Sequence, residues 1–275
     1  MAKPRSAIPA AKVDEELLPG QSRELLQELH LLTRGGDLNA DARRKLKQVN
    51  HLITLLRPAL DDLFARCPDP ALVDVGSGKS YLGFLLYDLY LRPRGAGRVV
   101  GIESRPELVA RTRELAARLG FARMEFQQAL AEQAKLPPRV HMLLALHACD
   151  RATDDALLLA LRAKADYIAV VPCCQAEAAG LLKALPETAL GELYAHPIHR
   201  REFGSHLTNV LRTLALAAAG YQVTVTELVG WEHSLKNELI LARRIGGTFA
   251  PAKARLRALL DILPVRTKLI RELGY

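Results

Sequence analysis

The sequence predicts an α/β protein built on a mostly parallel sheet with helices on both faces. Three observations predict it. Short apolar runs alternate with helical stretches from residue 71 to residue 185, a glycine turn follows the first of those runs, and the last two strand candidates have no helix of the usual length between them.

The elements before the sheet are helical. Residues 1–13 hold two prolines and little periodicity, which predicts a loose tail. Leu17, Leu18, Leu25, Leu29 and Leu32 suggest a helix from Asp14 to Leu32, interrupted or restarted at Pro19-Gly20 and ended by "RGGD". A second helix should run from Asn39 or Asp41 towards Phe64, with Leu46, Val49, Ile53, Leu56 and Leu60 forming one buried stripe. Arg44, Lys47 and His51 fall on another face, and Pro58 is a candidate kink. "CPDP" closes this region. Residues 1–68 are therefore read as a helical N-terminal extension, 69–245 as the α/β domain and 246–275 as a basic helical tail.

From residue 71 strand and helix alternate: "ALVDVG" and a helix through "YLGFLLYDLYL"; "RVVGIE" and "RPELVARTRELAARLG"; "MEFQQ" and a short polar connection; "VHMLLALH" and "TDDALLLALRAK"; "DYIAVVP" and "AEAAGLLKAL". A helix through "LTNVLRTLALAAAG" then leads to "YQVTVTELV" and, after "GWEHSLKN", to "ELILARR". That ending suits an antiparallel hairpin at one edge of the sheet and brings the strand count to seven.

With 275 residues and 49% apolar side chains the chain can bury a full core without a covalent staple. Its four cysteines make no disulfide framework, which favours a reducing cytoplasm. The N-terminus lacks the apolar core of a signal peptide, and no stretch reaches the roughly 18–20 apolar residues of a membrane span, so no membrane is expected as a partner. The net charge is +8, and the basic excess lies in the flanks: net +4 between Arg34 and Arg57 and +6 from Arg243 to Tyr275. Such placement fits flanks that meet a polyanion such as RNA while the middle does chemistry; solvated helix faces are the alternative.

The glycine turn is the strongest local signal. In "LVDVGSGKSYLG", Gly76 and Gly78 let the backbone turn tightly and let a ligand approach it. The second strand ends in Glu103, a carboxylate able to accept hydrogen bonds from both hydroxyls of a ribose. This half-fold binds a nucleoside, either in a dinucleotide or in S-adenosylmethionine. Asp74 would repel a pyrophosphate but suits the ammonium of a methionine moiety.

Together "VDVGSGKSYLG", "GIES", "LHACDRATDDAL", "VVPCCQ" and "EHSLKNELI" resemble a class I S-adenosylmethionine-dependent methyltransferase with a Rossmann-like seven-stranded sheet. More narrowly they resemble the methyltransferase domain 32-like branch. That branch includes bacterial proteins of unknown substrate, the eukaryotic tRNA 2′-O-methyltransferase of the acceptor stem, and a methyltransferase domain beside glutathione-S-transferase-like regions. The resemblance covers residues 44–244 and implies S-adenosyl-L-methionine as cofactor. Asp74, Gly76, Ser77, Gly78 and Tyr81 would surround the methionine part, Glu103 and Ser104 would hold the ribose, and Gln128 and Ala129 would lie at the adenine. Leu146 and His147, at the end of the fourth strand, would complete the cofactor site. Ser80 stands where the family's turn usually has a third glycine; it could cap the next helix or crowd the cofactor.

The acceptor side is expected beyond the carboxyl ends of the fourth and fifth strands, at His147-Ala148-Cys149-Asp150 and Pro172-Cys173-Cys174-Gln175. The cysteines have four readings: a zinc site, a redox pair, covalent catalysis as in RNA cytosine-5 methyltransferases, or the lining of an acceptor pocket. No C-x-x-C spacing exists for zinc, and a vicinal disulfide is strained. In the last reading Pro172 and Cys173 shape the pocket floor while Asp150, His147 or a lysine handles protons. Lys47 is a candidate for orienting the acceptor, and "AHPIHRREFGSHL", with His196, His199, His206, Arg200 and Arg201, reads as a substrate loop. The expectation is RNA methylation at oxygen or nitrogen. The alternatives are a protein or small-molecule acceptor, cytosine-5 chemistry through Cys149, Cys173 and Cys174, or a non-catalytic cofactor- or RNA-binding protein.

Overall fold

Pro19 and Gly20 divide the first expected helix. In place of one helix over Asp14–Leu32 there is a 3-10 segment, Ala10–Glu16, and a short helix α1, Arg23–Glu28. The structure is a computed structural model, and it describes residues 8–146, 150–172, 176–185, 188–228, 238–247 and 249–275. Ser22 starts α1 by accepting the Leu25 amide on its hydroxyl at 3.2 Å. Helix α2, Ala40–Arg66, is capped in the same way by Asn39, which accepts the Ala42 amide at 2.8 Å. Its buried face holds Leu46, Ile53, Leu56 and Leu60 as expected, with Leu52 and Leu63 added and Val49 only half-buried. Pro58 lies inside the helix on its exposed side, so the missing amide donor falls on a solvent-facing turn.

The chain divides into two compact units, Met1–Gln128 and Ala129–Tyr275. In the first, strands β1 (Ala71–Val75), β2 (Arg98–Glu103) and β3 (Met124–Gln128) form a parallel ladder with β2 in the middle. Helix α3, Tyr81–Leu86, continues through a π-helical segment, Tyr87–Leu91, into the last turn α4, Arg92–Arg94; helix α5 spans Pro106–Arg118. Every residue of β1 is buried, the pattern of a strand covered on both faces. The register sets Asp74 beside Gly101 and Glu103 beside Gln128, which brings the ends of the three strands to one level.

The second unit contains β4 (Met142–Ala145), helix α6 (Arg151–Arg162), β5 (Tyr167–Val170), helices α7 (Ala176–Lys183) and α8 (Pro197–Ala218), and β6 (Tyr221–Glu227) with β7 (Glu238–Arg244). Strand β4 pairs parallel with β5, and β7 runs antiparallel to both β5 and β6, which makes the expected edge hairpin. Seven strands, parallel within each ladder except at β7, give the mostly parallel α/β architecture that the sequence predicts.

The expected substrate loop is helical instead. Helix α8 starts at Pro197 with His196 as its N-cap, ten residues before the helix read from "LTNVLRTLALAAAG". Proline at the first helical position costs no intrahelical bond, so "HPIHRREFGSHL" propagates as helix despite its polarity. The tail forms α9 (Ala250–Ile262) and α10 (Lys268–Glu272), and Leu256, Leu260, Val265, Leu269 and Ile270 are buried. Among the described residues no helix is long and apolar enough to cross a membrane.

Candidate functional site

The turn after β1 is built by three residues in left-handed conformation: Gly76 at φ +66°, Gly78 at φ +57° and Ser80 at φ +52°. A side chain is rarely tolerated there, and Ser80 is the exception. Its backbone amide donates to the Ser77 carbonyl at 2.6 Å, closing the turn, and its carbonyl accepts the Phe84 amide at 2.9 Å, opening α3. The hydroxyl does not cap the helix. It turns inward and donates to Asp74 Oδ2 at 3.2 Å. Burial pushes the Asp74 carboxyl up to about 7; the Ser80 bond works against that shift and the charge of Glu103 adds to it. Ser77 Oγ is buried with no hydrogen-bond partner among the described residues.

Glu103 closes the other side of the turn. Its Oε2 accepts the Gly78 amide at 2.9 Å, and its Oε1 accepts the Arg105 amide at 3.0 Å and the Ser104 hydroxyl at 3.3 Å. The Arg105 guanidinium reaches back as a fork, Nε to Oε1 at 2.9 Å and Nη2 to Oε2 at 3.1 Å. Burial alone would raise the Glu103 carboxyl, but the Arg105 side chain and the Arg105 and Gly78 amides outweigh it and hold the carboxyl down at about 2. Arg105 Nη2 also lies 3.8 Å from where a Cβ on Gly78 would stand, so the guanidinium covers the turn.

In the second unit Asp150 has an unusual backbone, φ +51° and ψ −111°, at the start of α6. Arg212, from α8, holds it there: Nη2 donates to the Asp150 carbonyl at 2.9 Å, while Nε donates to Asp154 Oδ1 at 2.8 Å. Asp150 Oδ1 accepts the Glu177 amide at 3.3 Å. Arg212 Nη1 donates to Asn209 Oδ1 at 3.2 Å, and Asn209 Nδ2 donates to Glu238 Oε2 at 2.9 Å. Pro172, buried, follows β5, whose end is tied to β4 by the Val171 amide on the Ala145 carbonyl at 3.0 Å.

Residues 44–180 match the family model described as a methyltransferase domain. This segment is a methyltransferase domain, and the chain is a methyltransferase. No curated protein is matched by the sequence. Solved structures of similar fold include a methyltransferase from Podospora anserina bound to SAH, 14% identical, with a TM-score of 0.49 over 86% of this chain and 94% of that one. Others are the magnesium protoporphyrin IX methyltransferase of Synechocystis (14% identity, TM-score 0.48, covering 81% and 97%) and an rRNA methylase of Streptococcus thermophilus (10%, 0.43, covering 67% and 93%).

Within the first unit of this methyltransferase the structure brings together Asp74, Gly76, Ser77, Gly78, Glu103 and Ser104, with Gln128 exposed at the end of the neighbouring strand. Tyr81, half-buried, lines a cavity with residues of α1 and α5. Lys47 lies on α2 with Nζ 3.7 Å from Glu16. Ala129 and Leu146 are half-buried residues of the second unit. His147, Cys149, Cys173 and Cys174 lie outside the described residues. His196 and His199 meet edge to face at 5.4 Å at the start of α8.

Two arginines join the site that the sequence does not point to, Arg105 and Arg212. Arg105 has a signal, its place two residues after the strand-terminal acid; Arg212 has only its place as the one charged residue of "LTNVLRTLALAAAG".

Proposed function

We propose that this methyltransferase uses S-adenosyl-L-methionine to methylate RNA, either tRNA or rRNA, at oxygen or nitrogen. One observation carries the cofactor: the turn presents a sealed carboxylate, Asp74, a buried hydroxyl with no partner among the described residues, Ser77, and an ionised carboxylate, Glu103. This donor and acceptor set fits an amino acid joined to a ribose. Asp74 accepts from the ammonium, and Glu103 and Ser104 bind the ribose hydroxyls once Arg105 has turned aside. Gln128 meets the base edge. The cofactor supplies a methyl group on a sulfonium, and the protein's tasks are alignment and proton removal.

Asp150 is the candidate base for the acceptor's proton. Arg212 fixes its backbone, and its carboxylate keeps acceptor capacity beyond the single Glu177 amide. Pro172 shapes the floor of the acceptor pocket, and Lys47 orients the acceptor. The resemblance to the branch with the acceptor-stem tRNA enzyme supports a ribose oxygen as the methylated atom. The basic flanks support RNA: on α9 Lys253, Arg255 and Arg257 have no partner among the described residues, whereas Lys268 and Arg271 are paired with Asp155 and Glu177.

The test is transfer of a labelled methyl group from S-adenosylmethionine to RNA fractions from cells lacking this protein, with and without nuclease. Nuclease-sensitive label is expected. Label that survives nuclease in protein or small molecules would overturn the RNA reading and leave methyl transfer standing.

A further inference from the structure

The first unit holds a cavity of about 400 Å³ beside the glycine turn, and none of Asp74, Gly76, Gly78, Glu103 or Ser104 lines it. Its walls are the end of α1 (Leu29, His30), the turn and start of α3 (Lys79, Tyr81) and one stripe of α5. That stripe is Leu108, Arg111, Thr112, Leu115 and Arg118, spaced by three and four residues so that they share a helix face. Leu29 and Thr112 are buried at the floor. The volume lies within the roughly 300–1,000 Å³ of small-ligand sites.

Charge gives the cavity its character. Arg118 is held by Glu28 and by Glu114, the latter at 3.2 Å, and so occupies both carboxylates of the lining. Lys79 and Arg111 then remain without a partner among the described residues. This differs from the basic run on α2, to which composition first draws attention. There Arg43 and Lys47 are paired with Glu16, and Arg44 and Lys45 with Asp41. Two free cations beside an aromatic ring and three leucines, in one concavity, present an anion-binding edge and a flat apolar wall. A nucleotide has both complementary parts.

We infer that this cavity is a nucleotide-binding site, taking a phosphate on Lys79 and Arg111 and a base or sugar face against Tyr81 and the leucines. The identity of the ligand as part of an RNA strand rests on the proposed RNA reading. The geometry then makes the cavity an anchor for a nucleotide of the acceptor: Tyr81, expected from the sequence at the methionine part of the cofactor, lines this cavity, whereas Asp74, Ser77, Glu103 and Ser104 do not.

The experiment is isothermal titration of the full chain with uridine 5′-monophosphate, uridine, inorganic phosphate and a short single-stranded oligoribonucleotide, for the wild type and Arg111→Glu. The monophosphate should bind more tightly than uridine or phosphate alone, and the oligonucleotide should compete with it. Arg111→Glu should weaken both by roughly tenfold or more, the worth of one charge-assisted contact. Binding of S-adenosylhomocysteine should stay unchanged, which also shows the variant folded. Failure of the monophosphate to bind at millimolar concentration, or equal binding by Arg111→Glu, would overturn the inference. Binding of the monophosphate without competition by the oligonucleotide would replace the strand by a free nucleotide. Loss of RNA methylation as an activity, with nucleotide binding intact, would sink the RNA reading alone.

Discussion

Arg105 and Glu103 are two residues apart, and the arginine fork occupies both oxygens of the carboxylate. Ribose hydroxyls would need those same oxygens. The Arg105 side chain is 59% exposed, so water can take over its hydrogen bonds when it turns aside, while the buried Glu103 keeps the Gly78 and Arg105 amides and gains the ribose hydroxyls. Arg105→Ala should therefore tighten S-adenosylhomocysteine binding by up to about fivefold. Glu103→Ala should weaken it by about tenfold or more, since charged hydrogen bonds are lost. Equilibrium titration of both variants checks this, and weaker binding in Arg105→Ala would mean that the guanidinium touches the cofactor.

Asp74 and Glu103 pull the pH dependence of stability in opposite directions. The Asp74 carboxyl, raised from 3.8 to about 7, holds a proton in the folded protein that the unfolded chain has released. Between those values stability falls as pH rises, and the full penalty is present above about 7. Glu103, lowered from 4.5 to about 2, contributes stability that is complete above 4.5 and is lost as pH falls towards 2. Asp74→Asn should flatten the decline between pH 4 and 7 and raise Tm at pH 8, by about 2–4 °C for each kcal/mol recovered. The same variant should lose affinity for the cofactor, because an amide cannot pair with an ammonium as a carboxylate does. Thermal melts across pH, with and without S-adenosylhomocysteine, separate the two effects.

Ser80 and Gly83 constrain each other. A Cβ on Gly83 would overlap Ser80 Oγ and come within 3.5 Å of Asp74 Oδ2. Gly83→Ala should cost about 1–3 kcal/mol from overpacking. Ser80→Gly removes the obstacle and the left-handed strain of a residue with a Cβ, worth about 1–2 kcal/mol, at the loss of one hydrogen bond. The double variant should be more stable than the two single costs add to, measured by urea unfolding in a double-mutant cycle. Ser80→Gly should also tighten cofactor binding by leaving Asp74 Oδ2 free; unchanged affinity would dismiss crowding by the hydroxyl.

The order of strands and helices is legible in the sequence because burial on both faces of β1, β4 and β5 writes continuous apolar runs, and the glycines mark where the chain must turn. Glu103 is legible because it ends such a run. Arg105 is not, since an arginine beside a helix start reads as solvated until its fork is seen to fold back. The direction of the Ser80 hydroxyl is also hidden: the residue type fits a cap, and only the left-handed backbone sends it to Asp74. The α8 start is not legible because its polar first turns lack an apolar stripe, while Tyr194 and Phe203 stack at 5.7 Å and hold that end in place. The basic flanks illustrate a limit of composition, for Arg43, Lys47, Lys268 and Arg271 are paired within their own units.

Arg212 and Asp154 form an ion pair in which each side chain is 1% exposed, 58 positions apart in sequence. Burial raises the Asp154 carboxyl, against the pull of Arg212 and of the Leu269 amide, which donates to Oδ2 at 3.0 Å. Removing one partner leaves an uncompensated buried charge, so Arg212→Leu should cost about 3–5 kcal/mol. Arg212→Leu with Asp154→Leu should recover part of that loss, though the Leu269 amide and Asp150 carbonyl then lose their partners. Arg212→Lys keeps the charge but cannot fork between Asp154 and the Asp150 carbonyl. If Arg212 positions Asp150, the lysine variant should lower kcat with little change in the KM for S-adenosylmethionine, and the pH profile of kcat should shift. A variant that melts earlier yet keeps its kcat and pH profile would leave Arg212 as a structural pair alone.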